Sequence, residues 1–142
     1  MAEAHTVIAI DGPSGAGKGT IARAVATKLG YQYVDTGAMY RAVAWKASLE
    51  KVAFDDEAGL SKLTERVIFG FENGRTVIDG DDVTEAIRTP EIDVAAAAVA
   101  KLPDVRRALV ARQRALGECG GLVMEGRDIG TVVFPNATVK IY

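Results

Sequence analysis

The sequence predicts an α/β fold, a parallel sheet flanked by helices with a small antiparallel insert. Three observations predict it. An apolar run at residues 7–10 (VIAI) leads through a glycine-rich turn into a helical pattern. A short second strand at residues 31–34 (YQYV) follows that helix, which makes a strand, helix, strand unit with an expected right-handed crossover. Tight-turn signals cluster between Val67 and Val83, and they mark an antiparallel sheet over about residues 65–84.

Length and composition bound the reading. A chain of 142 residues fits one domain, residues 1–142, with enough length for a real core. Its apolar fraction of 49% and charged fraction of 25% are those of a soluble globular protein. A formal net charge of −2 gives no reason to expect nucleic-acid or anionic-membrane binding over the whole surface. Cys119 has no internal disulfide partner, which points to a reducing compartment. No stretch approaches the ~20 apolar residues of a membrane span, and the start of the sequence lacks a signal-peptide pattern. A cytoplasmic protein without membrane contact is expected.

The glycine-rich turn is the most informative stretch. Gly12, Gly15, Gly17 and Gly19 let a loop wrap a phosphate with its N–H groups inward. The helix start adds unpaired N–H groups and the positive end of its dipole. Lys18 supplies a full charge. Strand, glycine-rich loop, lysine and helix together form a P-loop, and nucleoside triphosphate binding follows. In the strict Walker form the hydroxyl residue stands directly after the lysine; here Gly19 intervenes before Thr20. The arrangement resembles nucleoside monophosphate kinases more than GTPases. Ile21, Val25 and Leu29 recur every fourth residue and are expected to mark the helix's apolar face. Gly30 ends that helix, with Lys28 in its last turn.

Further along, residues 35–37 leave the second strand at the sheet end where such folds bind ligands. A second helix is expected from about Met39 to Glu50, with Arg41 in its first turn. Arginine opposes the helix dipole there. It is either an exposed residue that the helix tolerates or one placed for an anion. Acid at residues 55–57 caps a third helix with Leu60, Leu63 and Val67 as its stripe. Asn73-Gly74 reads as a hairpin turn, and residues 79–82 as a tight turn without calcium-ligand spacing. Thr89 and Pro90 open an alanine-rich helix. Pro103 opens another that carries Arg106, Arg107, Arg112 and Arg114, a solvated face in preference to a nucleic-acid site. Residues 122–124 form a third strand. Its exit loop, residues 125–130, presents Arg127 beside Asp128, as a structural ion pair or as a site. Residues 138–142 form a fourth strand.

These residues carry a resemblance. IDGPSGAGKGT at residues 10–20, DTGAMYRA at 35–42, IRTPE at 87–91, VRRALVARQR at 105–114 and EGRDIGTVVFPNA at 125–137 together resemble bacterial cytidylate (CMP/dCMP) kinase. The match runs through the whole chain in order, and GRDIGTVVFP is far more specific than the P-loop. The resemblance implies a P-loop nucleoside monophosphate kinase-like fold, with the insert in the monophosphate-binding region. It implies transfer of the γ-phosphate of ATP to CMP or dCMP with Mg²⁺. Gly12, Pro13, Ser14, Gly15, Ala16, Gly17, Lys18, Gly19 and Thr20 would hold ATP. Thr36, Arg41 and Arg127 would contact the CMP phosphate. Arg106 and Asp128 would read cytosine, with Arg88 as a further candidate. Lys18 and Arg127 are the catalytic candidates, and no protein metal site is expected.

Arg41 and Arg127 suit a phosphate because a guanidinium fork grips it as lysine cannot. Asp128 can accept from cytosine's exocyclic amine, which uracil lacks. Two features depart from the family pattern. Ala97 stands where the family often has a cytosine-contacting serine, and Thr36 where it often has serine. The family also continues through an arginine-bearing lid and a fifth strand. Slow turnover of these 142 residues, and association through the open edge of the last strand, are therefore expected, against a monomer for the family. A nucleotide-binding module without turnover, and a kinase for another nucleoside monophosphate, are the competing readings.

Overall fold

The computed structural model describes residues 6–13 and 17–142. In chain order its elements are β1 (Val7–Asp11), α1 (Lys18–Leu29), β2 (Gln32–Asp35), α2 (Thr36–Leu49), α3 (Glu57–Arg66) and β3 (Phe69–Gly70). There follow β4 (Val77–Ile78), β5 (Asp81–Asp82), α4 (Pro90–Ala100), α5 (Pro103–Leu116), β6 (Leu122–Gly126) and β7 (Val139–Ile141). Two compact units form: the described part of Met1–Thr36 with Gln113–Tyr142, and Gly37–Arg112.

The first unit holds a parallel sheet in the order β2-β6-β1-β7. Every residue of β1 and β6 is buried, which suits central strands covered on both faces. β2 begins with exposed Gln32 and takes an edge. The chain thus passes from β1 through α1 to β2 and skips one strand position. β6 later fills it, with Val7 opposite Leu122 and Asp11 opposite Gly126. β7 is the other edge of this sheet, and its three residues are exposed.

Helix α1 corrects the expected apolar face. Ile21 and Leu29 are 49% and 48% exposed, whereas Ala22 and Ala26 are buried against Ile8, Ile10 and Val123. The spacing of four identified the helix, and its middle position, Val25, packs partly buried against that core, but the fully buried positions lie one residue to the side of the expected stripe. Alanine wins there because small side chains let the helix backbone approach the sheet closely. Gly30 ends the helix as expected, at φ 70°.

Helix α2 starts at Thr36, the last residue of the first unit's opening segment, directly after β2, and not near Met39. Arg41 therefore lies beyond the first turn, and the dipole argument for it does not apply. Asp56 caps α3 by accepting from the Gly59 N–H at 3.0 Å. Leu60, Leu63 and Val67 are buried, as their spacing predicts. Thr89 caps α4 by accepting from the Ile92 N–H at 3.2 Å, with Pro90 first in the helix.

The insert is narrower than expected. β3, β4 and β5 are two residues each and form an antiparallel sheet. The two-residue hairpin turns at Asp79-Gly80, with φ 50° and 84°. Asn73-Gly74 instead lies in a longer connection closed by a 3₁₀ turn. Salt bridges pin the small sheet. Arg75 reaches Asp82 at 2.9 Å and Glu85 at 2.8 Å, and Lys46 reaches Asp79 at 3.2 Å.

Arg107, Arg112 and Arg114 of α5 are engaged within their own units. Arg112 Nη1 donates to the carbonyls of Thr64 and Glu65 at 3.0 Å each, at the carbonyl end of α3. Arg114 donates to the carbonyls of Val133 and Val132 at 3.0 and 2.8 Å. Arg107 pairs with Asp104 at 2.9 Å.

Candidate active site

The parallel strands β1, β6 and β2 end at Asp11, Gly126 and Asp35, and all three ends lie on one side of the sheet. The residues that follow them are Gly12, Arg127 and Thr36. Gly12 extends the ladder by one bond, its N–H donating to the Gly126 carbonyl at 3.2 Å. Pro13 is exposed; Ser14, Gly15 and Ala16 lie outside the described residues. Gly17 takes φ 78°, which side chains rarely adopt, and caps α1 through its backbone.

The first turn of α1 contains no acidic residue. Its N–H groups on Lys18, Gly19 and Thr20 stand at the positive end of a twelve-residue helix. Lys18 Nζ reaches back across the loop to the Pro13 carbonyl at 3.4 Å. Thr20 is exposed. This is a cationic cradle of the kind that binds phosphates.

Glu125, which the sequence reading did not single out, lies beside these residues. Its side chain is buried beside the start of α1, where it accepts from the Tyr33 hydroxyl. A Cβ on Gly19 would stand 3.1 Å from Glu125 Oε1. Glycine at that position thus leaves room for the carboxylate, a physical reason for the departure from the Walker pattern. Burial first, and then the bond to Glu125, pushes the Tyr33 phenol well above its ordinary pKa. The available signal was an acid in an otherwise apolar strand, LVMEG.

Thr36 is buried, and its hydroxyl donates to the Glu125 carbonyl at 2.9 Å. In this placement it locks the start of α2 to β6; donating to a phosphate requires the hydroxyl to turn. Arg127 is exposed and Asp128 half-buried. They are followed by a π-helical turn, Ile129–Val133, where the sequence suggested only loop. The Phe134 N–H closes it on the Ile129 carbonyl at 2.7 Å. Gly130 and four β-branched residues gave no helical signal.

The first unit thus gathers Gly12, Pro13, Gly17, Lys18, Thr36, Arg127 and Asp128 at one sheet end. Arg41, Arg88 and Arg106 belong to the second unit. Arg41 is half-buried on α2, Arg88 is exposed just before the α4 cap, and Arg106 is exposed in the first turn of α5. Ala97, the departure noted above, is exposed on α4.

A parallel sheet with a phosphate loop after one central strand and an Arg-Asp pair after its neighbour defines an α/β fold of the nucleoside monophosphate kinase type. Comparisons with known proteins agree. The family model described as "Cytidylate kinase" matches residues 8–142. The chain is 52% identical over 140 residues to "Cytidylate kinase" of Pelotomaculum thermopropionicum, covering 95% of this chain and 62% of that protein. It is 51% identical over 138 residues to "Cytidylate kinase" of Solibacter usitatus, covering 97% and 60%. It is also 48% identical over 147 residues to "Bifunctional pantoate ligase/cytidylate kinase" of Gloeobacter violaceus, covering 99% and 28%. The chain belongs to the cytidylate kinase family. It spans 60–62% of the length of the first two of these relatives.

Proposed function

We propose that this chain serves transfer of the γ-phosphate of ATP to CMP or dCMP, giving ADP and CDP or dCDP, in the cytoplasm. One observation carries the reading. The phosphate loop and the Arg127-Asp128 pair follow adjacent parallel strands, β1 and β6, at the same sheet end. Donor and acceptor sites must face one another for in-line transfer, and the protein's work is positioning and charge neutralisation.

Within this reading residues 12–20 hold the ATP phosphates. Lys18 and Arg127 balance charge on the transferring group. Thr36, Arg41 and Arg127 bind the acceptor phosphate. Arg106 and Asp128 read cytosine, Asp128 accepting from its amine, with Arg88 as a further candidate on the acceptor side. The insert belongs to the monophosphate-binding part of one P-loop kinase domain.

The residues present fit Mg²⁺, which prefers hard oxygen donors and is bound through few carboxylates alongside phosphates and water. The Glu125 carboxylate beside Gly19 and the Thr20 hydroxyl are such donors, and they would hold the ion with ATP. No group of three His, Cys, Asp or Glu side chains suited to a metal occurs among the described residues. Bound there, Mg²⁺ supplies neutralisation of phosphate charge.

The test is a coupled ADP-release assay with Mg-ATP and CMP on this chain and on Lys18→Ala. Slow CMP-dependent release that is lost in the variant is expected. Binding of ATP and CMP without release would favour a nucleotide-binding module. Preference for UMP or AMP would redirect the acceptor assignment. Binding of neither ATP nor CMP would sink the proposal.

A further inference from the structure

Asp11 has no assigned role, yet it is buried at the point where β1 enters the phosphate loop. Its two carboxylate oxygens are both used. The Ile129 N–H donates to Oδ1 and the Gly130 N–H to Oδ2, each at 2.8 Å. These are the first two residues of the π-helical turn. Gly130 is confined: a Cβ there would stand 3.3 Å from Asp11 Oδ2 and 3.2 Å from the Lys140 side chain.

The chain just before that turn is held from the same place. Asp11 is paired with Gly126 in the β1–β6 register, and the Gly12 N–H donates to the Gly126 carbonyl at 3.2 Å. Arg127 and Asp128 therefore form a two-residue bridge between two anchored points, Gly126 and Ile129. Both anchors lead back to Asp11-Gly12, the residues that open the phosphate loop. The Asp128 carbonyl is also occupied by the turn, accepting from Val132 at 2.8 Å.

We propose that Asp11 is a positioning residue for the acceptor site. Through the backbone of Ile129 and Gly130 it sets where the Arg127-Asp128 pair stands relative to the phosphate loop. The inference goes beyond the proposed phosphoryl transfer and rests on that reading for its ligand. A carboxylate is suited to this task because it accepts two parallel N–H bonds in fixed geometry. Asp11→Asn keeps the shape but turns one acceptor into a donor facing an N–H.

The experiment compares the 142-residue chain with Asp11→Asn and with Ile8→Val. Ile8 is a buried β1 residue away from the turn, and its variant controls for general loss of stability. CMP and ATP affinities are measured by calorimetry, and amide exchange at Ile129 and Gly130 by NMR. In Asp11→Asn, CMP affinity is expected to fall about tenfold. ATP affinity is expected to stay within about twofold. The two amides are expected to exchange faster. Ile8→Val is expected to leave the CMP-to-ATP affinity ratio unchanged.

Equal losses for both nucleotides, or unchanged exchange at Ile129 and Gly130, would overturn the proposal. So would failure of both Asp11→Asn and Asp11→Glu to fold while Ile8→Val folds, since Asp11 would then act in folding. Absence of CMP binding in the unaltered chain would overturn the functional reading, and this inference with it. Unchanged CMP affinity in Asp11→Asn would overturn this inference alone.

Discussion

Gly126 ends β6 where a Cβ would stand 2.5 Å from Thr36 Oγ1 and 2.9 Å from Ile129 Cδ1. The contacts are with a buried hydroxyl that bonds the Glu125 carbonyl and with a buried core side chain. Neither is the loose end of a flexible residue. Gly126→Ala is expected to cost about 1–3 kcal/mol, read as a lower urea midpoint, with Thr36 displaced from its bond. An unchanged midpoint would mean that the junction of β2, α2 and β6 yields more easily than its packing suggests. At this scale the sequence was informative wherever chemistry is unusual: the Lys18 motif and the Arg127-Asp128 pair both stood out. Asp11 and Glu125 did not. An acid at a strand end commonly faces solvent, and only the fold shows that Asp11 meets two backbone N–H groups and Glu125 a phenol.

Elements were legible where local chemistry marks their ends. Thr89 and Pro90 open α4, Asp56 opens α3 and Gly30 closes α1, each from side-chain acceptors or a left-handed backbone. Thr89→Ala removes the acceptor for the Ile92 N–H and is expected to cost about 1 kcal/mol. The check is a shift in urea midpoint with the slope unchanged; no shift would mean that another acceptor replaces the hydroxyl. Elements held by distant contacts were not legible. The π-helical turn at Ile129–Val133 depends on Asp11, far away in sequence. The buried face of α1 depends on how closely the helix meets the sheet, which the period of four does not reveal.

For the whole molecule, stability depends on pH at both ends of the scale, through Tyr33 on the alkaline side and through carboxylates such as Asp82 on the acid side. The Tyr33 phenol is held protonated in the fold, by burial and by its bond to Glu125. Unfolded tyrosine releases its proton near about pH 10. The contribution is therefore complete below about pH 10 and lost as pH rises beyond it. Asp82 moves the other way, its pKa lowered to about 2 chiefly by Arg75. Its contribution is present above the usual aspartate value of about 4 and lost as pH falls toward about 2. Denaturation midpoints from pH 2 to 11 should fall at both ends, with the alkaline fall removed in Tyr33→Phe. An alkaline limb that survives in that variant would assign it to another group.

By itself the sequence determined the class of the protein: an α/β fold with a phosphate loop, most of its helix ends and the residues that single out its family. These are local signals, because glycine conformations, caps and motif chemistry depend on residues near one another in the chain. Tertiary structure alone decided three things. It placed β6 between β1 and β2, turned Ala22 and Ala26 of α1 inward, and brought Asp11 to the turn that follows Arg127 and Asp128. Each depends on burial and hydrogen-bond satisfaction between segments far apart in sequence, and no local pattern encodes which segments those will be.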